Sequence, residues 1–533
     1  MKLDRRSFIQ GSAVMGGAMM LGGAVAPALA EQIPAPKDYM AAPEPIGDDQ
    51  ISETFEAELV IIGAGASGSV ACATAAENGA SVIVLQKAEC VFTHGSGFAA
   101  CGTKIQAEKG IETPDPWKVL GDIAREAGAN LGKWEVLKLW ADYGAEMGDW
   151  LVDKFEDSEY GPFLIDGGSE FSEPWNRNYP VPHLPRGTKV GTGNIMAICT
   201  ALVDEAVATG LVDVKYETPA VQLRQDESGR VTGVIAKNPD GNYILCNATK
   251  GVIIAAGGYE GNAKMREDFL GQAIGLGVGY SRPELTQGDG ILMAIWAGGR
   301  IQRLPHCSNI HYDPGILVPT QKGTTIPWLR VNKLGKRFSN EDVCYDSVWA
   351  QDIRQPGCMH YQIFDDNYLE DLPNIGKGMT QYGKWETLVP DGVANGDIYC
   401  ADTIEQLAEM IEVPVENFVA TVERYNELAD IDAEYEPDFG KLAYKVKKIQ
   451  KPPFYAIPRQ ATCLTSLSGL EIDGNLHVLN ADNEPIPGLF ACGNSSGNFF
   501  GGVYQSMSTP CMSIGRAFVT ARVAAWRALG IDK

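Results

Sequence analysis

The sequence contains no cysteine or histidine pattern that is typical of a metal centre. Its twelve cysteines and six histidines are scattered along 533 residues. They form no CxxC pair, no CxxCH haem-attachment motif and no HExxH motif. We therefore predict no metal, haem or iron–sulfur cluster. We also expect unpaired thiols, because chains of this size seldom depend on a disulfide framework.

Positive charge is also scarce. There are 44 lysines and arginines against 68 aspartates and glutamates, which gives a formal net charge of −24. Such an excess repels phosphates, so it argues against nucleic acid or an anionic membrane surface as a partner. A small anionic substrate is still compatible with it, because a few nearby cations outweigh a distant, screened field.

No segment is apolar enough to predict an intrinsic membrane span. Residues 11–26 are weakly apolar, but this stretch is too short and too glycine-rich for one. It follows Arg5-Arg6 and precedes an Ala-Leu-Ala site at 28–30, as in a twin-arginine signal peptide. We predict that residues 1–30 direct export of the folded protein to the periplasm or the exterior of the cell envelope. Residues 31–54 are expected to be a linker.

A nucleotide-binding pattern follows the linker. A β-branched strand at 56–62 leads into Gly63-x-Gly65-x-x-Gly68, then a small-residue helix and a second strand at 81–86. In this βαβ pattern the first glycine makes the tight turn and the second allows a pyrophosphate to approach the backbone. The third lets the helix pack on the strand. The helix N-terminus then faces the phosphates. A carboxylate is usual at the end of the second strand for the ribose hydroxyls, but this chain has Gln86, which predicts weaker ribose binding.

The remaining pattern indicates two domains. Short strands between 211 and 258 return towards a parallel sheet, and an apolar helix lies near 285–300. Residues 303–456 have a different texture, with more Trp, Tyr and Pro and with charged helices such as 403–429. A strand at 487–492 and a helix from about Ser513 close the chain. We predict one α/β domain built from 55–302 and 457–533, with an inserted domain at 303–456.

Glycine-rich segments spread along the chain indicate FAD rather than NAD. They lie at 94–97, 102–103, 255–258, 288–290 and 493–494, more backbone-approach sites than a nicotinamide domain needs. The combination resembles the fumarate reductase/succinate dehydrogenase flavoprotein superfamily, including soluble urocanate reductases and 3-ketosteroid dehydrogenases, over roughly residues 55–530. This resemblance implies a Rossmann-like FAD-binding domain formed by both chain ends, with an α+β capping domain inserted between them.

The resemblance also implies the residues that contact FAD. Two of them, Ser513 and Ile514, would place the N-terminus of the final helix near the pyrimidine end of the flavin, where the helix dipole stabilises the reduced, anionic ring. The predicted cofactor residues are Gly63, Gly65, Ala66, Ser67, Gly68, Gln86, Lys87, Ser96, Gly97, Gly102, Thr103, Asp289, Gly493, Asn494, Ser513 and Ile514.

Three positions depart from the pattern of fumarate reductases. Residues 329–341 are similar to the family's "VNxxGxRFxNE" hairpin, but Leu369 stands where the proton-donating arginine is expected. Thr465 replaces a carboxylate-binding histidine, and the region of Ser508 replaces the arginine of "NRLGG". These departures predict a substrate that is bulkier and less charged than fumarate.

Three side chains are candidates for catalysis. Tyr504 follows Gly501-Gly502-Val503 in a segment that looks like the "YP…G" turn of ketosteroid dehydrogenases, although Gln505 replaces the proline. In those enzymes the matching tyrosine hydrogen-bonds the substrate carbonyl; the alternative is that Tyr504 only packs beside the flavin. Tyr345 is a candidate acid for the α-carbon. Arg330 is a candidate for binding an anionic substrate or polarising a carbonyl, or else is a surface ion-pair residue.

The chain contains no second GxGxxG unit for NAD(P)H, so electrons are expected from a separate partner such as a quinol-linked membrane cytochrome. We predict an exported, respiratory FAD-dependent oxidoreductase in which flavin N5 transfers hydride to an activated C=C bond of an enone or α,β-unsaturated acid. Two alternatives stay open: a 3-ketosteroid dehydrogenase-like enzyme that introduces a double bond, and a non-catalytic flavin electron-transfer protein. The oligomeric state is not predicted.

Overall fold

The computed structural model describes residues 38–127, 131–165, 179–190, 194–279, 282–312, 326–343, 345–375, 384–504 and 508–533. The predicted signal peptide, the first part of the linker and Gln505 lie outside these ranges. The chain divides into a short unit, Met1–Pro43, and a compact unit, Glu44–Lys533, which contains every element named below.

Three sheets and the helices around them form the compact unit. The strands are β1 (Ile51–Ile62), β2 (Val82–Leu85), β3 (Phe98–Ala99), β4 (Phe163–Ile165), β5 (Pro182–Pro185), β6 (Val212–Lys215), β7 (Ala220–Gln225), β8 (Val231–Lys237), β9 (Tyr243–Ile254), β10 (Gly277–Val278), β11 (Ser308–Tyr312), β12 (Leu329–Val331), β13 (Met359–Asp365), β14 (Tyr399–Ala401), β15 (Phe454–Ser466), β16 (His477–Leu479) and β17 (Pro485–Ala491). The α-helices are α1 (Ala66–Glu77), α2 (Lys104–Glu108), α3 (Pro116–Asp122), α4 (Trp134–Phe155), α5 (Ile195–Ala208), α6 (Ala263–Phe269), α7 (Asp289–Trp296), α8 (Tyr345–Asp352), α9 (Tyr368–Ile375), α10 (Trp385–Asn395), α11 (Ile404–Met410), α12 (Val415–Leu428) and α13 (Met512–Leu529).

The eight-stranded sheet is the nucleotide-binding half of the molecule. Its main order is β16-β17-β9-β1-β2-β6, and β7 and β8 form the meander that returns into β9. β1 runs parallel to both β2 and β9, and β17 from the far end of the chain runs parallel to β9. β2 is buried along its length, and β1 and β9 are buried over their last four residues, which run towards the carboxyl edge of the sheet. This arrangement confirms the predicted α/β fold built from both chain ends.

The six-stranded sheet lies largely in the predicted capping segment. Its order is β10-β15-β13-β12, with β11 and β14 also paired to β15. The long strand β15 runs without interruption to Ser466, across the predicted boundary between 456 and 457. Its side chains are largely buried on both sides of that boundary. The sheet also takes in β10, which precedes residue 303. The predicted boundaries of the capping segment remain a prediction, and the sheet extends beyond both of them.

The charged helix predicted at 403–429 is two helices. α11 ends at Met410 and α12 begins at Val415. Pro414 lies directly before α12, where it has no N–H to donate and disfavours helical backbone at the preceding residue. Within the described residues, no helix combines the length and apolarity that crossing a membrane requires.

Candidate active site

A cavity of about 730 Å³ opens at the carboxyl ends of β1, β2 and β9. The N-terminal ends of α1 and α13 form part of its wall, and β11 and β15 of the six-stranded sheet form another part. Its volume falls within the roughly 300–1,000 Å³ of small-molecule and cofactor sites. Ligands of open α/β sheets bind at this edge, so the cavity is the candidate active site.

The glycine fingerprint shapes the first wall. Gly63 has a φ of +103°, and a Cβ there would lie 2.6 Å from the carbonyl oxygen of Ala255. A Cβ on Gly68 would lie 1.9 Å from the carbonyl oxygen of Gly63, so α1 packs directly on the turn. Gly65, Ala66 and Ser67 line the cavity at the start of α1. Backbone N–H groups at such a helix start suit a pyrophosphate.

The residues after β2 form one end of the cavity. Gln86, Lys87 and Asp289 all line it, and the Lys87 Nζ lies 2.9 Å from the Asp289 Oδ2. The Gln86 Oε1 accepts a hydrogen bond from the Ala64 N–H at 3.2 Å, and its Nε2 donates to the Cys90 oxygen at 2.6 Å. The amide of Gln86 therefore holds the glycine turn, and its predicted contact with a ribose remains a prediction.

The segment at 94–97 lies along the cavity, as expected from its glycines. Ser96 and Gly97 both line the wall. A Cβ on Gly97 would lie 2.3 Å from the carbonyl oxygen of His183, so the segment packs closely against β5. The Ser96 Oγ lies 3.7 Å from the Sγ of Cys511, which precedes α13 and also lines the cavity.

Twelve of the sixteen predicted cofactor residues line the cavity. The four that do not are Gly68, Gly102, Thr103 and Gly493. Thr103 caps α2, and its Oγ1 lies 2.8 Å from the His183 Nε2. A Cβ on Gly493 would lie 2.5 Å from the Ser67 Oγ. Thr103 and Gly493 therefore pack on neighbouring protein behind the wall, whereas Gly102 is exposed.

Tyr504 lines the cavity beside the start of α13. Tyr504, Ser513 and Ile514 line one wall, and the Tyr504 hydroxyl accepts a hydrogen bond from the Ser513 N–H at 3.3 Å. The ring of Phe500 packs edge-on against Tyr504 with the ring centroids 4.8 Å apart. The phenol is therefore buried and oriented at the end of the helix.

The part of the wall formed by β11 and β15 contains residues that the sequence analysis missed. The Asn494 Nδ2 donates to the Thr465 Oγ1 at 2.9 Å, and Asn309 of β11 pairs with Thr465 of β15. Asn309 and His311 both line the cavity. The signal was present: residues two apart on a strand share a face, so Asn309-x-His311 places two polar side chains together.

Glu260 is a second missed residue. It is buried, lines the cavity, and its Oε2 accepts hydrogen bonds from the backbone N–H and the Oγ of Ser466, both at 3.1 Å. It therefore adds a carboxylate to the wall. Among the described residues that line the cavity there is no arginine.

Arg330 lies in the interior of the cap and not on the cavity wall. It is 1% exposed on β12 and borders a cluster of buried charges. In that cluster Glu341 lies 2.8 Å from Arg337 and 3.3 Å from Lys441. Burial alone would raise the pKa of Glu341, but the charges of Lys441, Arg337 and Arg330 hold it below its usual value. Arg330 is not among the described residues that line the cavity, and its predicted contact with a substrate remains a prediction.

Two further positions from the sequence analysis are Tyr345 and Leu369. Tyr345 is the first residue of α8, and its side chain lies outside the described structure. Leu369 is 45% exposed on α9, away from the cavity. Of the positions that depart from the fumarate reductase pattern, Thr465 is the one that lines it.

The residues present fit FAD. Two helix N-termini, a glycine turn without side chains and an elongated set of lining residues that runs from Lys87 to Tyr504 match a dinucleotide with a pyrophosphate at its centre. Gly65 leaves space at the cavity that a side chain would fill, whereas Gly63 and Gly97 allow close packing of the wall on neighbouring backbone. The chain would hold the cofactor through α1, the segment at 94–97 and the start of α13.

Comparison with known proteins agrees with this geometry. The sequence profile of the family described as FAD binding domain matches residues 58–510. An NADH:acrylate oxidoreductase of Vibrio harveyi is 29% identical over 386 residues, which cover 70% of this chain and 35% of that protein. A vinyl phenol reductase of Lactiplantibacillus plantarum is 26% identical over 497 residues, which cover 87% of this chain and 94% of that protein.

A solved structure shows the same fold. The open conformation of a flavocytochrome c3 fumarate reductase superposes with a TM-score of 0.69 at 23% identity, over 90% of this chain and 80% of that one. The profile match confirms the predicted cofactor, and the superposition confirms the predicted architecture. The chain belongs to the FAD binding domain family and is an FAD-dependent oxidoreductase of the fumarate reductase/succinate dehydrogenase flavoprotein superfamily.

Proposed function

We propose that this protein reduces an electron-poor C=C bond, in an enone or an α,β-unsaturated acid, with hydride from reduced FAD. The observation that carries the proposal is the position of Tyr504, which places an oriented phenol on the cavity wall beside the N-terminus of α13. The names of two relatives, an acrylate oxidoreductase and a vinyl phenol reductase, support an alkene as the acceptor.

The chemistry needs a donor at the carbonyl oxygen. When hydride reaches the β-carbon, negative charge develops on that oxygen, and a preorganised donor there is worth about 10²–10³ in rate. Tyr504 supplies the donor, and the hydrogen bond that its hydroxyl accepts from the Ser513 N–H makes the phenol a stronger hydrogen-bond donor. The α-carbon then takes up a proton. Tyr345 is the candidate from the sequence, and His311 of β11, which lines the cavity, is a second candidate.

The cavity favours a substrate with less negative charge than fumarate. Its described lining has no arginine, has Thr465 in place of a carboxylate-binding histidine and includes the buried carboxylate of Glu260. A dicarboxylate would lose its hydration without gaining the cationic partners that repay that loss. Leu184 and Leu464 add apolar surface that suits a bulkier group.

The test is the reoxidation of the anaerobically reduced holoenzyme by enones, enoates and their saturated analogues. We expect reoxidation by some of the unsaturated members, faster than by fumarate, and none by saturated compounds. With an active substrate, Tyr504→Phe should slow reoxidation by about 10²–10³ at unchanged flavin content. Tyr143→Phe is the matched control, because its hydroxyl bonds to Lys533 on the surface. Equal rates for Tyr504→Phe and wild type would contradict the role of the phenol.

The same assay separates the alternatives. Flavin reduction by saturated ketones in the presence of an artificial acceptor, without the reverse reaction, would favour a dehydrogenase. A reduced flavin that no member of the panel reoxidises would favour a non-catalytic electron-transfer protein.

We also propose that the protein is exported through Arg5-Arg6 and receives electrons from a separate donor, such as a quinol-linked cytochrome, as a respiratory reductase. Support comes from the twin-arginine pattern and from the single GxGxxG unit. Replacing both arginines with lysines should retain the protein in the cytoplasm; unchanged export would contradict the first part. Rapid flavin reduction by NADH alone would contradict the second.

A further inference from the structure

Arg516 is a buried cation directly behind the cavity wall. It lies in the second turn of α13 and is 0% exposed, while its neighbours Ile514 and Ala517 line the cavity. Burial lowers the pKa of Arg516 to about 10, so the guanidinium still carries its charge at neutral pH. A full positive charge therefore lies in a medium where electrostatic interactions are weakly screened.

The partners of Arg516 are all neutral. The Nη1 donates to the carbonyl oxygens of Gly493 at 2.8 Å and Ser496 at 3.2 Å, and the Nη2 donates to the Asn494 Oδ1 at 2.7 Å. The ring of Phe500 lies 5.3 Å from the guanidinium carbon. Within the described part of the chain, no carboxylate lies within ion-pair distance of Arg516. Its charge is thus not neutralised by the protein that surrounds it there.

A second buried arginine of the same helix is paired with carboxylates. Arg522 is also buried, but its guanidinium lies 2.6 Å from Glu146 and 3.7 Å from Glu77. A buried charge is costly unless it is paired, so an unpaired one is informative. Arg522 joins α13 to α1 and α4, whereas Arg516 faces the end of β17 beside the cavity.

Arg516 also fixes a side chain of the wall. Because the Asn494 Oδ1 accepts from Arg516, the Nδ2 of the same amide is directed to the Thr465 Oγ1 at 2.9 Å. The charge and the oriented amide act on the same part of the cavity. The N-terminus of α13 adds a partial positive charge of the same sign.

We propose that Arg516 is a positioning residue that raises the reduction potential of the bound FAD, through its unneutralised charge and through the Asn494 amide that it orients. Oxidised FAD takes up two electrons and one proton to give its anionic reduced form. A nearby cation stabilises that form relative to the neutral oxidised one. The inference depends on FAD binding and is independent of the substrate.

The experiment measures the midpoint potential of holoenzyme variants by anaerobic reductive titration against a reference dye. Arg516→Gln should weaken binding of reduced relative to oxidised FAD at least tenfold, which is a fall of about 30 mV for a two-electron couple. Arg516→Lys keeps the charge and should stay closer to wild type. Arg522→Gln is the matched control: it should lower the melting temperature and leave the potential unchanged.

Wild-type potential in Arg516→Gln would overturn the proposal, and so would an equal fall in Arg522→Gln. If Arg516→Gln does not fold, Asn494→Asp tests the same charge, because it places a carboxylate at the atom that now lies 2.7 Å from the guanidinium. We expect this variant to have a lower potential than wild type. An unchanged potential in it would also overturn the proposal.

Discussion

Gly65→Ala should separate folding from cofactor binding. The backbone of Gly65 has φ −79° and ψ −159°, which is extended and open to any residue. A Cβ there would lie 3.3 Å from its nearest neighbour, the carbonyl oxygen of Phe92, so a shift of a few tenths of an ångström accommodates it. The methyl group would, however, enter the cavity at the start of α1, where the pyrophosphate is expected.

The expected loss of FAD affinity follows from the cost of the added methyl group. Forcing a methyl group into space that another group fills costs about 1–3 kcal/mol. That loss corresponds to binding of FAD that is about 5- to 150-fold weaker. The free energy of unfolding of the FAD-free chain should change by less than about 1 kcal/mol, because the steric conflict within the protein is small.

Gly68→Ala is the matched comparison three residues along. Its Cβ would lie 1.9 Å from the carbonyl oxygen and 2.8 Å from the carbonyl carbon of Gly63, both rigid backbone atoms. This variant should lose stability and FAD binding together. The assays are urea denaturation of the FAD-free chain and quenching of FAD fluorescence. Wild-type affinity in Gly65→Ala, or a loss of stability as large as that of Gly68→Ala, would refute the placement of the pyrophosphate.

Two further predictions follow. Gln86→Glu should lower the free energy of unfolding of the FAD-free chain by about 1–3 kcal/mol, because it replaces the Nε2 donor to the Cys90 carbonyl oxygen with a second acceptor; an unchanged free energy in urea denaturation would contradict the role of this amide in holding the glycine turn. Burial lowers the pKa of both His183 and His306 from 6.5 to about 4, so both are neutral when folded and take up protons on unfolding. Their contribution to stability should be complete above pH 6.5 and fall as the pH drops towards 4, and a melting temperature that is constant across this window would contradict it.

Local patterns were sufficient to predict the nucleotide-binding half. The turn at Gly63, the small residues of α1 and the apolar runs of β1 and β2 are each determined over a few residues. The same holds for β17, whose Leu-Phe-Ala run ending before Gly493 predicted a strand of the buried sheet. These elements meet at one edge because parallel strands share it, so the site followed from the fold.

The cap was less predictable because its side chains are directed by long-range pairing. The hairpin around Arg330 was identified, but the burial of that residue depends on β13 and β15, which lie more than 25 residues further along the chain. The polar face of β11 is formed when Asn309 pairs with Thr465. Thr103 was assigned by resemblance, and only its hydrogen bond with His183 reveals that it lies behind the wall.

The flavin content of the purified chain tests the central claim most directly. After reconstitution and removal of free cofactor, the flavin released by denaturation should amount to one FAD per chain in wild type and less in Gly65→Ala. A chain that is folded by circular dichroism, yet releases no flavin and takes up none, would contradict the assignment of the cavity between α1 and α13.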